Sequence, residues 1–240
     1  MKLSSTIAAL MAAFGFLILP LGAAAQQKDD LPARVTEFAL TEAPDDHVVG
    51  SEDAALTLII WASVTCPHCA SWFTTDWPLV KSELVETNKL RVVFREFPTQ
   101  PGNLAMAGFR LAECAPTEDY MSLIEYQMEN QSAIFDAARE GRGEDAYREI
   151  ARLAGMETNE AMTTCLRNPD ITAHIVDNMS RATTAEIESV PAFLINGQKY
   201  KGKSDAETLI SLINEMEEKG ISTLPDAIEP ADAHAGHDHN

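Results

Sequence analysis

Cys66-Pro67-His68-Cys69 places two thiols three positions apart with a proline and a histidine between them, the separation of one helical turn. A sulfur attacks a disulfide, or leaves one, as a thiolate, so cysteines that do this need surroundings that stabilise negative charge. Pro67 suits the first position of a helix. A helix starting there turns unpaired N–H groups and its positive dipole end toward Cys66. His68 adds a hydrogen-bond donor or a positive charge beside the same sulfur. Each of these lowers the Cys66 pKa and, by favouring the reduced form, makes a Cys66–Cys69 disulfide a stronger oxidant. Cys66 is the expected nucleophile and Cys69 its more shielded partner. The competing uses are a structural clip and half of a zinc site. A closed zinc site needs four ligands, and no second Cys-x-x-Cys or nearby histidine pair supplies them. No metal centre is expected, and no cofactor beyond the redox-active disulfide.

The pair needs a rigid strand behind it and a helix in front. Leu56-Thr57-Leu58-Ile59-Ile60-Trp61 is apolar on both faces and β-branched, as a strand covered on both sides should be. The helical pattern begins at Cys66 and runs through Trp72, Phe73, Leu79, Val80 and Leu84, with a break expected near Trp77 because Pro78 cannot donate a helical hydrogen bond. A second strand, Leu90 to Phe97, completes a βαβ unit. Five helical stretches follow: Leu104 to Cys114, Tyr120 to Met128, Ala146 to Leu153, Asn159 to Leu166, and Ile171 to Ile187. Asn168-Pro169 suits an N-cap and first helical position. Ala192 to Ile195, the turn pair Asn196-Gly197, and Gln198 to Tyr200 read as a hairpin. Ser204-Asp205-Ala206-Glu207 reads as a capping box for a last helix. An edge strand is expected around Val35 to Leu40.

The N-terminus reads as an export signal: Lys2, an apolar run from Ile7 to Leu21, and small residues at Ala23-Ala24-Ala25, with cleavage expected after Ala25. The chain has 240 residues and a formal net charge of −19. Removing residues 1–25 takes away one charged side chain, Lys2, so the exported form stays acidic and would repel nucleic acid and anionic membrane. Four cysteines in an oxidising compartment invite pairing. If Cys66 and Cys69 are the redox couple, Cys114 and Cys165 remain as a framework disulfide; two free core thiols and a second redox couple are the alternatives. Such a bridge encloses a loop of about 50 residues, which the chain-entropy argument values at about 4 kcal/mol. The expected organisation is a signal at 1–25, a linker and edge strand at 26–47, a core at 48–101 and 188–220, a helical insertion at 102–187, and a disordered His-rich tail at 221–240. His234, His237 and His239 in that tail could bind a metal ion weakly or be solvated.

Taken together, Cys66-Pro67-His68-Cys69 after a buried strand, the helical stretch, and Ser189-Val190-Pro191 before the hairpin resemble the DsbA-like branch of the thioredoxin superfamily. The resemblance covers roughly residues 48–220. It implies an α/β thioredoxin-like fold with a helical insertion between the βαβ unit and a C-terminal ββα unit. It also implies that Val190-Pro191 is a cis peptide in a substrate-binding loop facing the cysteines. The implied activity is donation of the Cys66–Cys69 disulfide to reduced, folding secreted proteins by a periplasmic monomer, which a membrane partner of DsbB type reoxidises. A disulfide isomerase or reductase of the same fold, and a periplasmic copper-handling protein, are the alternatives. One position departs from the family pattern. Members commonly carry an acidic residue six positions before the first cysteine, where it serves proton transfer to the second; here that position is Ile60. Glu96 could take over, or be an ordinary charge at a strand end.

Overall fold

A computed structural model describes residues 35–225 of the chain. The expected export signal, residues 26–34 of the expected linker, and the tail from residue 226 lie outside the described residues. The described part is built on a mixed sheet of order β1-β3-β2-β4-β5. Its strands are β1 (His47–Val49), β2 (Leu56–Ala62), β3 (Leu90–Glu96), β4 (Ala192–Ile195) and β5 (Gln198–Tyr200). Strand β2 is central, parallel to β3 and antiparallel to β4. Its alternation explains the two-faced apolar sequence: Leu56, Leu58, Ile60 and Ala62 enter the larger core, while Ile59 and Trp61 pack with Val93 and Leu194 on the opposite face. Burial on both faces leaves no polar side.

Between β2 and β3 lie α1 (Pro67–Thr75), α2 (Trp77–Val80) and a π-helical turn at Lys81–Val85. The break falls at Asp76, two residues before the proline that imposes it. The stretch between β3 and β4 is helical: α3 (Gly102–Glu113), α4 (Tyr120–Glu129), α5 (Gln131–Arg139), α6 (Gly143–Leu153), α7 (Asn159–Leu166) and α8 (Pro169–Thr184). The chain then makes the hairpin and α9 (Ala206–Lys219). This is the α/β thioredoxin-like architecture with a helical insertion. Asn196 and Gly197 both have positive φ, 45° and 79°, as a tight hairpin turn requires. The Asn168 side chain accepts from the Asp170 amide at the start of α8.

Three expectations are corrected. Residues 35–37 form a helical turn instead of a strand, and the sheet edge is the later β1, antiparallel to β3. The early segment is held by a side chain instead: the Arg95 guanidinium donates to the Ala39 carbonyl at 3.1 Å and the Thr41 carbonyl at 2.7 Å. The last helix is capped by Asp205, which accepts from the Thr208 amide, and not by Ser204. Helix α5 is additional to the sequence pattern, whose Ser132 to Phe135 shows too few periodic apolar positions to announce it.

Arg95 also forms a two-pronged pair with Asp46, at 2.9 and 2.7 Å, in which neither side chain is exposed to solvent, and it lies over the Trp61 ring at 5.0 Å. Removing one partner leaves the other charge buried and alone. Asp46→Ala is expected to lower unfolding free energy by about 3–5 kcal/mol in urea titrations.

Candidate active site

Strand β2 ends at Ala62, and the chain turns within Ser63-Val64-Thr65 to deliver Cys66 as the N-cap of α1. The turn is closed by the Cys66 amide donating to the Ser63 carbonyl at 3.1 Å. The Ser63 hydroxyl meets the Thr65 hydroxyl at 3.0 Å and accepts from the Thr99 amide at 3.1 Å. From the insertion, Gln131 on α5 donates to the Val64 carbonyl at 2.8 Å and the Cys66 carbonyl at 3.1 Å. Ser63, Thr65, Thr99 and Gln131 were not singled out by sequence pattern, because these bonds span up to 67 positions and leave no local signature.

Cys66 and Cys69 are an unbridged dithiol. Cys69 is fully buried and Cys66 is 9% exposed, so the sulfur nearer solvent is the first one, though only its edge is reachable. Pro67 and His68 are exposed. The Cys66 pKa is lowered from 9.0 to about 6, first by a hydrogen bond from the Cys69 thiol, then by the Cys69 and His68 amides and by the charge of the His68 ring; burial opposes the change. As a thiol Cys66 makes no cap bond to these amides; they act on the thiolate, for which a helix N-terminus is a natural site. Cys69 moves strongly the other way, because its proton is held by Cys66 and burial penalises its charge; the Ser63 amide, 3.4 Å from its sulfur, offsets little of this.

The Val190–Pro191 peptide is cis, and the Cys66 thiol donates to the Val190 carbonyl at 3.4 Å. A second cis peptide, Gln100–Pro101, was not foreseen. Beside Pro191 a cleft of ≈ 770 Å³ runs along the hairpin, with Ser189, Phe193, Tyr200, Lys201 and Ser204 in its walls. Trp72 of α1 braces it by donating to the Ser204 carbonyl at 2.6 Å.

Ile60 is fully buried among apolar residues. Glu96 is also fully buried, so it is no ordinary strand-end charge. Its oxygens are engaged by the Tyr120 hydroxyl at 2.6 Å and by the Asn178 amide. Desolvation, the largest cause, together with Glu113 raises its pKa to about 7. Neither of those partners is bonded to Cys69. Cys114, which caps α3, and Cys165 in α7 are joined as a disulfide with Cα atoms 6.1 Å apart.

Because Cys66 titrates near 6 when folded and near 9.0 when unfolded, the native reduced protein is deprotonated there while the unfolded chain is not. Its thiolate contribution to stability is complete above about pH 9, fades as pH falls through that window, and is gone below about 6. Thiolate absorbance near 240 nm in the reduced protein is expected to titrate with a midpoint near 6 and to vanish in Cys66→Ala. In Cys69→Ala, which removes the largest stabilising bond, the midpoint is expected to move upward. A midpoint unmoved by that change would assign the shift to the helix end alone.

A family model described as thioredoxin matches residues 42–215. A Rickettsia bellii protein provisionally named protein-disulfide oxidoreductase is 27% identical over 198 residues, covering 81% of this chain and 74% of that one. Among solved structures, α-DsbA1 of Wolbachia pipientis aligns with a TM-score of 0.66 at 22% identity, over 74% of this chain and 94% of that one. A protein-disulfide isomerase of Novosphingobium aromaticivorans aligns with a TM-score of 0.60 at 19% identity, over 72% and 100%. At these identities the two structures speak to the fold. The chain belongs to the thioredoxin family, and it carries the DsbA-like form of that fold around a dithiol suited to thiol-disulfide exchange.

Proposed function

We propose that this DsbA-like protein-disulfide oxidoreductase works as an oxidase in the periplasm, donating its Cys66–Cys69 disulfide to reduced, unfolded secreted proteins. The observation that carries the reading is the opposite displacement of two neighbouring thiols, with Cys66 titrating near 6 and the buried Cys69 held protonated. A substrate thiolate attacks Cys66 Sγ. A substrate–Cys66 disulfide forms, the Cys66–Cys69 bond breaks, and Cys69 leaves with the electron pair and takes up a proton. A second substrate thiolate then attacks the substrate sulfur of the mixed disulfide and releases Cys66 as its stable thiolate. The substrate has lost two electrons and the protein is now the dithiol. A membrane reoxidant of DsbB type would restore the disulfide, so no separate cofactor is required. The cleft beside Val190 and Pro191 is the proposed docking place for an extended chain, whose edge-on pairing next to the hairpin would be sequence-tolerant. A single chain holds all of these parts, in keeping with action as a monomer. Nucleic acid is not a partner of so acidic a surface.

Equilibration of Cys66/Cys69 with glutathione buffers tests the reading. An oxidase is expected to lie nearer to about −120 mV than to about −270 mV. A strongly reducing couple would instead favour the isomerase or reductase reading. A parallel Cys114→Ala/Cys165→Ala protein shows whether the second disulfide shifts that value, and Cys66→Ala is expected to abolish oxidation of a reduced test protein.

A further inference from the structure

A second cluster of chemically capable side chains stands apart from the cysteines. His47 comes from β1, Glu96 from the end of β3, Glu113 from the last residue of α3, and His174 from α8. One donor atom from each lies within 4.8 Å of all the others. Both imidazole Nε2 atoms converge on the same Glu113 oxygen, His47 at 2.8 Å and His174 at 3.5 Å, and His174 Nε2 is 3.9 Å from Glu96 Oε2. The two longer separations exceed hydrogen-bond lengths. They approach the spacing of about 3.4 Å that follows for ligands placed tetrahedrally around an ion with bonds of about 2.0–2.1 Å.

We propose that His47, Glu96, Glu113 and His174 bind one divalent transition-metal ion, with zinc as the fitting class. Two imidazoles and two carboxylates are a donor set that zinc accepts and that calcium or magnesium would not select. The surroundings have the form that holds metal ligands in place. Asp45 lies 3.4 Å from His174 Nδ1, the carboxylate–histidine arrangement that orients a ligating ring, and Nε2 faces the two carboxylates and the Asn178 side-chain amide at 3.2 Å, which the ion would displace. Asp45 is itself fixed by Arg181 at 2.8 Å. The His47 ring stacks on Tyr120 with centroids 3.4 Å apart, and the Tyr120 hydroxyl holds Glu96 Oε1. Glu96 Oε2 accepts from Asn178 and keeps a second lone pair. The side chains are nearly closed to solvent, the four lying between 0% and 15% exposed. Four protein ligands in a closed setting make a structural site and not a catalytic one. The ion would tie the sheet to α3 and α8, one residue from Cys114, whose bridge fixes the same helix end.

The test uses the full chain with Cys66–Cys69 oxidised, so that those thiols cannot bind metal, dialysed against Zn²⁺ and assayed for metal content. One zinc per chain is expected. It should persist in a His234→Ala/His237→Ala/His239→Ala protein, which removes the tail imidazoles. Affinity should fall at least about tenfold in His174→Gln and Glu113→Gln, and by about 10- to 100-fold in Asp45→Asn. Zn²⁺ should raise the Tm of the wild-type and tail-altered proteins but not that of His174→Gln. If His174→Gln does not fold, His47→Gln reads the same site. Absence of bound zinc in the wild type, loss of zinc with the tail histidines, or full retention in the folded His or Glu variants would overturn the proposal.

Discussion

The stabilisation of a Cys66 thiolate by the neighbouring Cys69 thiol divides two identical side chains into a nucleophile and a buried reserve. It exists only because the two lie one turn apart at the first turn of α1, and α1 begins there only because β2 ends at Ala62. That strand is sealed on both faces, so it cannot slip by one residue without driving its apolar side chains out of one core and into the other. The Ser63 to Thr65 turn then has little freedom, since its carbonyls and hydroxyls are engaged by Gln131 and Thr99. The cysteine chemistry is thus anchored to a strand buried on both faces.

Ile60 leaves the buried cysteine without a carboxylate in the strand behind it. With no carboxylate at that position, Cys69 has the Ser63 amide 3.4 Å from its sulfur, and its thiol is kept protonated first by Cys66 and then by burial. When Cys66 is tied up in a mixed disulfide, the bond between the two cysteines is gone, but the desolvation of Cys69 remains. A protonated Cys69 attacks poorly. In the proposed reaction the mixed disulfide is then left to the second thiol of the substrate. An acidic residue in the strand would pass the Cys69 proton both ways, speeding protonation of the leaving sulfur as well as deprotonation of the attacking one.

The chemistry was legible because it is local. Cys66-Pro67-His68-Cys69 spells out spacing, helix start and charge within four positions, Asn196-Gly197 spells out its turn, and the two-faced run at 56–61 announces its burial. What escaped was set by distance. The three residues of β1 are too few to show a period, so the apolar residues of Val35 to Leu40 read as the edge strand instead; there Ala39 enters the small core and its carbonyl accepts from Arg95. Glu96 at the end of a strand reads as a solvated charge until Tyr120 and Asn178, 24 and 82 positions away, are seen to enclose it. Gln131 carries no sign in its own neighbourhood of the loop it holds.

The insertion is therefore part of the site and more than a cover for the sheet. It supplies Gln131 to the active-site turn from α5, Tyr120 to Glu96 from α4, and Asn178 to the same carboxylate from α8. The Cys114–Cys165 bridge links α3 to α7 within this layer, and Glu113, beside Cys114, reaches His47 on the sheet edge. Any change that lets α3 and α7 separate must move Glu113, and through it the contacts that hold the helices against β3. The second disulfide lies in the same helical layer as α5, from which Gln131 grips the carbonyls on either side of Thr65 and so steadies the turn that delivers Cys66.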